Sequence, residues 1–211
     1  MDFSIWLALC VLFFSGGLTP GPAVMLVTAS SLKYSVGPAM IAGVGISTAN
    51  LFWIALAVSG AAALAATFPD FFLFLKLGGV AFIFWLAWNM VRNSHTIDLE
   101  NRNIPRRRVL FAKGLGLQLA NPNALVFFGG LLPAYISSDQ PLLPQIFIIV
   151  ITITVTELFG LGVYAIAAER LARNFHSENF VKWFNRAAAL LMMGSALFAL
   201  YVTLFPPSNI H

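Results

Sequence analysis

Apolar runs long enough to cross a lipid bilayer follow one another along almost the whole of this chain, and two of them carry proline at mid-span. A hydrocarbon core ~30 Å thick takes roughly 20 apolar residues in a helix. Within it every backbone polar group must find a partner inside the protein. Six runs meet that length: Phe3 to Leu32, Pro38 to Ala66, Phe71 to Val91, Leu110 to Tyr135, Pro144 to Ala168 and Phe180 to Phe205. The interruptions are Thr19-Pro20-Gly21-Pro22 in the first run and Asn121-Pro122-Asn123 in the fourth, at corresponding places in the two halves. Proline lacks the backbone donor and its ring crowds the carbonyl four residues earlier, so the carbonyls of Gly16, Leu18 and Gln118 are expected to lose their helical partners. Of the 211 residues only 9% are charged, against roughly 25% in soluble domains. The expected class is an all-α integral membrane protein.

The N-terminal run does not read as a cleaved signal, because its one early charge is Asp2, no basic segment precedes it and it is too long. Cys10, the single cysteine, permits no internal disulfide or dithiol relay and reads as a small hydrophobe.

The net charge of +4 matters less than its layout. Eleven of the twelve basic residues fall on alternate connections: Lys33; then Arg92, Arg102, Arg106, Arg107, Arg108 and Lys113; then Arg170, Arg173, Lys182 and Arg186. Only Lys76 departs from this pattern. Basic residues mark cytoplasmic loops, which places both termini outside and the loop around Arg106 inside. The basic run then sets topology and meets anionic lipid, and nucleic acid is not an expected partner.

With three spans per half, the second half must run opposite to the first. The expected organisation is one membrane domain over 1–211. It comprises a three-helix repeat over 1–91, a cytoplasmic basic loop over 92–108 and an inverted three-helix repeat over 109–211, with helices 1 and 4 broken at their proline motifs. Paired interruptions of this kind point to a transport site at the repeat interface. Gly21-Pro22 and Asn121-Pro122 each resemble a helix start, a cap followed by proline at the first helical position. Two such starts facing each other at midplane would offer free N–H groups and partial positive charge to a carboxylate. A bare proline kink is the plain alternative for either motif alone; the matched second break favours the site.

Glu157 is the one acid deep inside a span, and charge there is expensive enough to imply a function. It shares a helical face with Thr154, Gly160 and Tyr164. It could pair with a substrate ammonium or carry a proton as the coupling ion; a protonated glutamate bonded between helices is the structural alternative. Ala39, Gly43, Ser47, Asn50 and Ile54 form a small, weakly polar stripe on the second span, where Gly43 and Ser47 suit packing and Asn50 suits either packing or cavity lining. Asn89, Thr152 and Thr156 are expected to bond between helices. Trp85, Trp88 and Trp183 fit interfacial anchoring, and Trp6 and Trp53 fit either the outer surface or packing. His95, His176 and His211 all lie in loops or the tail. No base is therefore available for an intramembrane serine nucleophile, and no ligand cluster suggests a metal. Neither an enzyme nor a cofactor is expected.

Six spans, Thr-Pro-Gly-Pro in the first, a small-residue second span, a basic central loop, and Phe-Ala-Lys-Gly followed by Asn-Pro within 111–122 together resemble the LysE/RhtB family of amino-acid exporters. The resemblance implies export of amino acids across the bacterial inner membrane, driven by the proton or the membrane potential without nucleotide or metal. It implies Pro20, Gly21, Pro22, Asn121 and Pro122 as motif positions. Two departures stand out: Asn123 occupies the place where the family usually has lysine, and Asn50 lies where many members have an acid. Both lower the cavity's charge and favour a neutral amino acid over lysine or arginine. The expected substrate-binding set is Thr19, Pro20, Gly21, Pro22, Asn50, Asn121, Pro122, Asn123, Glu157 and Tyr164, with Glu157 also the candidate for ion coupling. Expected partners are an amino-acid substrate and membrane lipid, with a homodimer left open. A passive channel, an exporter of another small metabolite or ion, and a non-transporting scaffold remain as alternatives.

Overall fold

The structure, a computed structural model, describes residues 1–18, 21–59, 69–92, 104–121, 124, 127–128, 132–137, 139–175 and 178–204. The described residues are all-helical: α1 (Phe3–Leu18), α2 (Pro22–Tyr34), α3 (Val36–Val58), α4 (Pro69–Arg92), α5 (Arg107–Leu119), α6 (Leu142–Phe175) and α7 (Glu178–Leu204), with a 3-10 turn over Leu132–Tyr135. Two of these helices are long and apolar enough to cross a membrane as they stand, Val36–Val58 and Leu142–Ala172, and shorter apolar helices cover Phe3–Phe14 and Leu77–Arg92. Helix α6 runs past the expected end at Ala168 because nothing in Glu169-Arg170-Leu171-Ala172 breaks a helix.

The first apolar run is two helices. Helix α1 ends at Leu18 and α2 begins at Pro22, capped by Gly21 in an extended conformation. Pro22 takes the first helical position, where its missing N–H has no intrahelical partner to lose, and the Met25 N–H closes the first turn on the Gly21 carbonyl at 2.9 Å. In the fourth run α5 stops at Leu119, with Ala120 closing on Gly116, and the Ala124 N–H then donates to the Asn121 carbonyl at 3.0 Å.

Helices α3 and α5 approach so closely that only glycine fits. A Cβ on Gly114 would run into the Ala42 carbonyl, and one on Gly45 into the Phe111 carbonyl, with the Leu115 nitrogen 2.9 Å away. Gly43, on the expected stripe, faces Leu161 at an ordinary 3.5 Å; the tight crossing uses the neighbouring face. Between α2 and α3, Ser35 sits at φ 99°, ψ 172°, a region nearly reserved for glycine. It is held there from both sides: its N–H donates to the Ser31 carbonyl at 3.0 Å, and the Val36 N–H donates to the Glu169 carboxylate at 2.9 Å.

Buried apolar side chains form two main layers. One gathers Val24, Ala42, Ile46, Leu117, Leu161 and Met192; the other gathers Phe13, Trp53, Ala124, Phe128, Ile149 and Ile153. The exterior is also apolar: Phe147, Ile151, Val155, Phe159 and Val163 expose one face of α6 at spacings of four. On a chain with 59% hydrophobic residues, that stripe is a surface for lipid.

Candidate functional site

A polar layer separates the two apolar ones. On α3, Asn50 lies between Ile46 of one layer and Trp53 of the other; on α6, Glu157 lies between Leu161 and Ile153; on α5, Gln118 follows Leu117. Their side chains join into one chain of hydrogen bonds. The Asn121 amide donates to Gln118 Oε1 at 3.1 Å, Gln118 Nε2 donates to Asn50 Oδ1 at 2.7 Å, and Asn50 Nδ2 donates to Glu157 Oε2 at 2.9 Å. Asn50 is 1% exposed, Gln118 6% and Asn121 9%. Buried polar groups are costly unless bonded, and here each amide serves as donor to the next, ending on the carboxylate.

The carbonyl of Gln118 lies four residues before Pro122, and the indole N–H of Trp53 donates to it at 3.0 Å. Trp53, 3% exposed, therefore takes the packing alternative and adds a hydrogen bond to the break. The Gln118 side chain is a site candidate outside the expected set, in which only its carbonyl figures, as a group freed by Pro122. The available signal was an uncharged polar residue in an apolar half-span three positions before Asn121.

The α2 start lies at the same height. Ser31 Oγ donates to the Ala165 carbonyl at 2.7 Å, and Leu32 clusters with Ala168 and Ala172, so α2 and α6 run in the same direction. Eight residues back along each helix are Ala23 and Glu157. The N–H groups of this helix start receive no side-chain cap. Gly21 and Pro22 thus share a level with Glu157, which the amide chain ties to Asn121 at the other break. Tyr164 lies two turns further along α6 and packs against the apolar layer around Leu161. Thr19, Pro20, Pro122 and Asn123 lie outside the described residues.

Of the remaining polar positions, Thr152 does bond between helices, accepting from Trp6 Nε1 at 3.1 Å. Asn89 and Thr156 instead bond back to their own helices, at the Trp85 and Thr152 carbonyls. In an apolar span the carbonyl four residues earlier is always within reach of a short polar side chain.

An apolar exterior, an apolar run restarted as a second helix and a polar layer at half height are the features of a membrane protein that moves a small polar solute. The chain belongs to the LysE type translocator family, whose model matches residues 14–203. That family transports and does not catalyse. Over 201 residues the chain is 28% identical to a homoserine/homoserine lactone efflux protein of Salmonella typhi, covering 94% of this chain and 98% of that protein. A threonine efflux protein of Escherichia coli (strain K12) is 22% identical over 184 residues, covering 84% of this chain and 88% of the relative. An uncharacterized membrane protein of Vibrio cholerae is 25% identical, covering 93% and 97%. No solved structure matches the chain.

Proposed function

We propose that this protein exports a neutral or small amino acid from the bacterial cytoplasm as a secondary carrier. In this reading six membrane helices form two inverted halves, 1–91 and 109–211, joined by the basic loop 92–108, with both termini outside. The observation that carries it is the hydrogen-bonded chain from Asn121 through Gln118 and Asn50 to Glu157, level with the start of α2. The relatives named for homoserine and threonine efflux support a neutral cargo.

The substrate carboxylate would sit at the N-terminus of α2, where free N–H groups and the helix dipole favour an anion. The ammonium would sit on Glu157. A carboxylate has about four lone-pair sites and Asn50 occupies one, which leaves capacity for a cation. The two halves would then rock about the occupied midplane, driven by the proton or the membrane potential. The test is amino-acid counterflow in liposomes carrying the purified protein. Saturable exchange of L-homoserine or L-threonine, faster when substrate is present on the far side, is the expected result. Uniform, non-saturating flux would mark a channel, and no flux of any amino acid would end the reading.

A further inference from the structure

A polar cavity lies towards the basic end of the bundle, between α2, α4, α5 and α7. Its polar lining is Ser30, Lys33, Tyr34, Asn89, Lys113 and Asn185, and its volume is about 90 Å³. A single water needs only ~10–15 Å³ of such space, so a small solute fits. Along α2, Ser30 is seven residues from Ala23, about 10 Å at the helical rise. The cavity is therefore distinct from the midplane chain.

Its chemistry is two-ended. Lys33 and Lys113 bring two ammonium groups, and an ammonium is a donor with no acceptor; among the described residues no carboxylate lines the cavity. Asn185 brings the opposite need: it is 5% exposed, and its Oδ1 is buried with no hydrogen-bond partner. A buried acceptor left unpaired costs about 1–3 kcal/mol, so it marks a place for a donor from outside the chain. Ser30 and Asn89 direct their donors to the Leu26 and Trp85 carbonyls. Burial and the neighbouring Lys113 charge hold the Lys33 ammonium below the usual lysine range, in keeping with cations gathered for an anion.

We propose that this cavity is a capture site for a small zwitterion, its carboxylate held by Lys33 and Lys113 and its ammonium by Asn185, loaded before the solute moves on to the midplane. The proposal rests on the amino-acid export reading. It adds a second binding site on the cytoplasmic side and the residues that form it.

The test is binding of labelled L-threonine to the purified full-length protein, with counterflow measured in parallel. Glu157→Gln, which disables the midplane site, should still bind L-threonine. Adding Lys33→Gln or Lys113→Gln should weaken that binding about tenfold or more, and Lys33→Arg should retain it. The Glu157→Gln binding should also weaken with salt between about 0.05 and 0.5 M, and excess L-threoninamide, which lacks the carboxylate, should not displace it. Equal binding with and without the lysine substitutions, or equal competition by threoninamide, overturns the capture site while counterflow by the wild type stands. Occupancy by glycerol phosphate in place of threonine would assign the cavity to lipid headgroups and overturn it too. Absence of counterflow in the wild type is the separate failure of the export reading.

Discussion

Glu157 ends a relay in which every link donates towards it, so in the proposed reading one residue of the layer would meet the cargo and the others would position it. Glutamine at 157 can still accept from Asn50, and Glu157→Gln is predicted to fold normally and to lose counterflow; full activity would remove both the ammonium and the proton roles. Gln118→Leu is predicted to act through stability. It strands Asn50 Oδ1 in a buried layer, at about 1–3 kcal/mol for an unpaired group, and thermal unfolding in detergent should show the drop. Lys33, just beyond the end of the first apolar run at Leu32, has its charged form disfavoured by burial and then by Lys113. A lysine lowered in the folded state binds fewer protons than in the unfolded chain, so the folded protein carries the penalty at neutral pH and sheds it as pH rises through the lowered value towards 10.5. Lys33→Gln should therefore raise the melting temperature at pH ~7, and its advantage should shrink as the pH approaches ~10. A constant advantage would mean that the charge is not its source.

Among the elements, the α3–α5 crossing is the least tolerant. Gly114→Val would push a branched side chain into the Ala42 backbone, which cannot give way as a flexible side chain could. Helices separated there would also pull Gln118 from Asn50. The predicted result is a loss of about 2–4 kcal/mol, in line with overpacked cores and broken buried networks, together with loss of counterflow. Gly78→Ala on α4, where an added Cβ meets nothing within 4 Å, serves as the control and should be close to neutral. These elements also show what the residue string discloses. The restart of the first run at Pro22 was legible because proline acts locally: it fixes its own φ and removes its own donor. Glu157 and Asn50 were legible as candidates because polar groups in lipid demand partners. Which partner each one takes was not, since Asn50 meets Glu157 across 107 positions and Gln118 across 68. Register between helices is set by features such as the glycine pair at 45 and 114, which look like any other small residues in a chain with 16 glycines. For the same reason the small-residue face was read through Gly43, whereas the helices touch at its near neighbours Ala42 and Gly45.

For the molecule as a whole, the two ends differ in chemistry, and the proposed direction of transport rests on that difference. At one end Lys33, Lys113 and Asn185 enclose the basic cavity, and Glu169 meets the start of α3. At the other, the N-terminal amine and Asp2 both bond to Gln140, at the foot of α6. Basic residues stay on the cytoplasmic side during insertion, so the first end should face the cytoplasm and the second the outside. In the proposed reading, a carrier so placed would collect an internal zwitterion at its basic mouth and release it at the opposite end. The placement is testable in whole cells. In a Cys10→Ser background, cysteine at Gln140 should react with a membrane-impermeant maleimide added outside. Cysteine at Arg106 should react only after the membrane is opened. The reverse pattern would turn the molecule over and make the Lys33 cavity an external site. Since the cavity would then collect from outside, the same pattern would redirect the proposed transport from export to uptake.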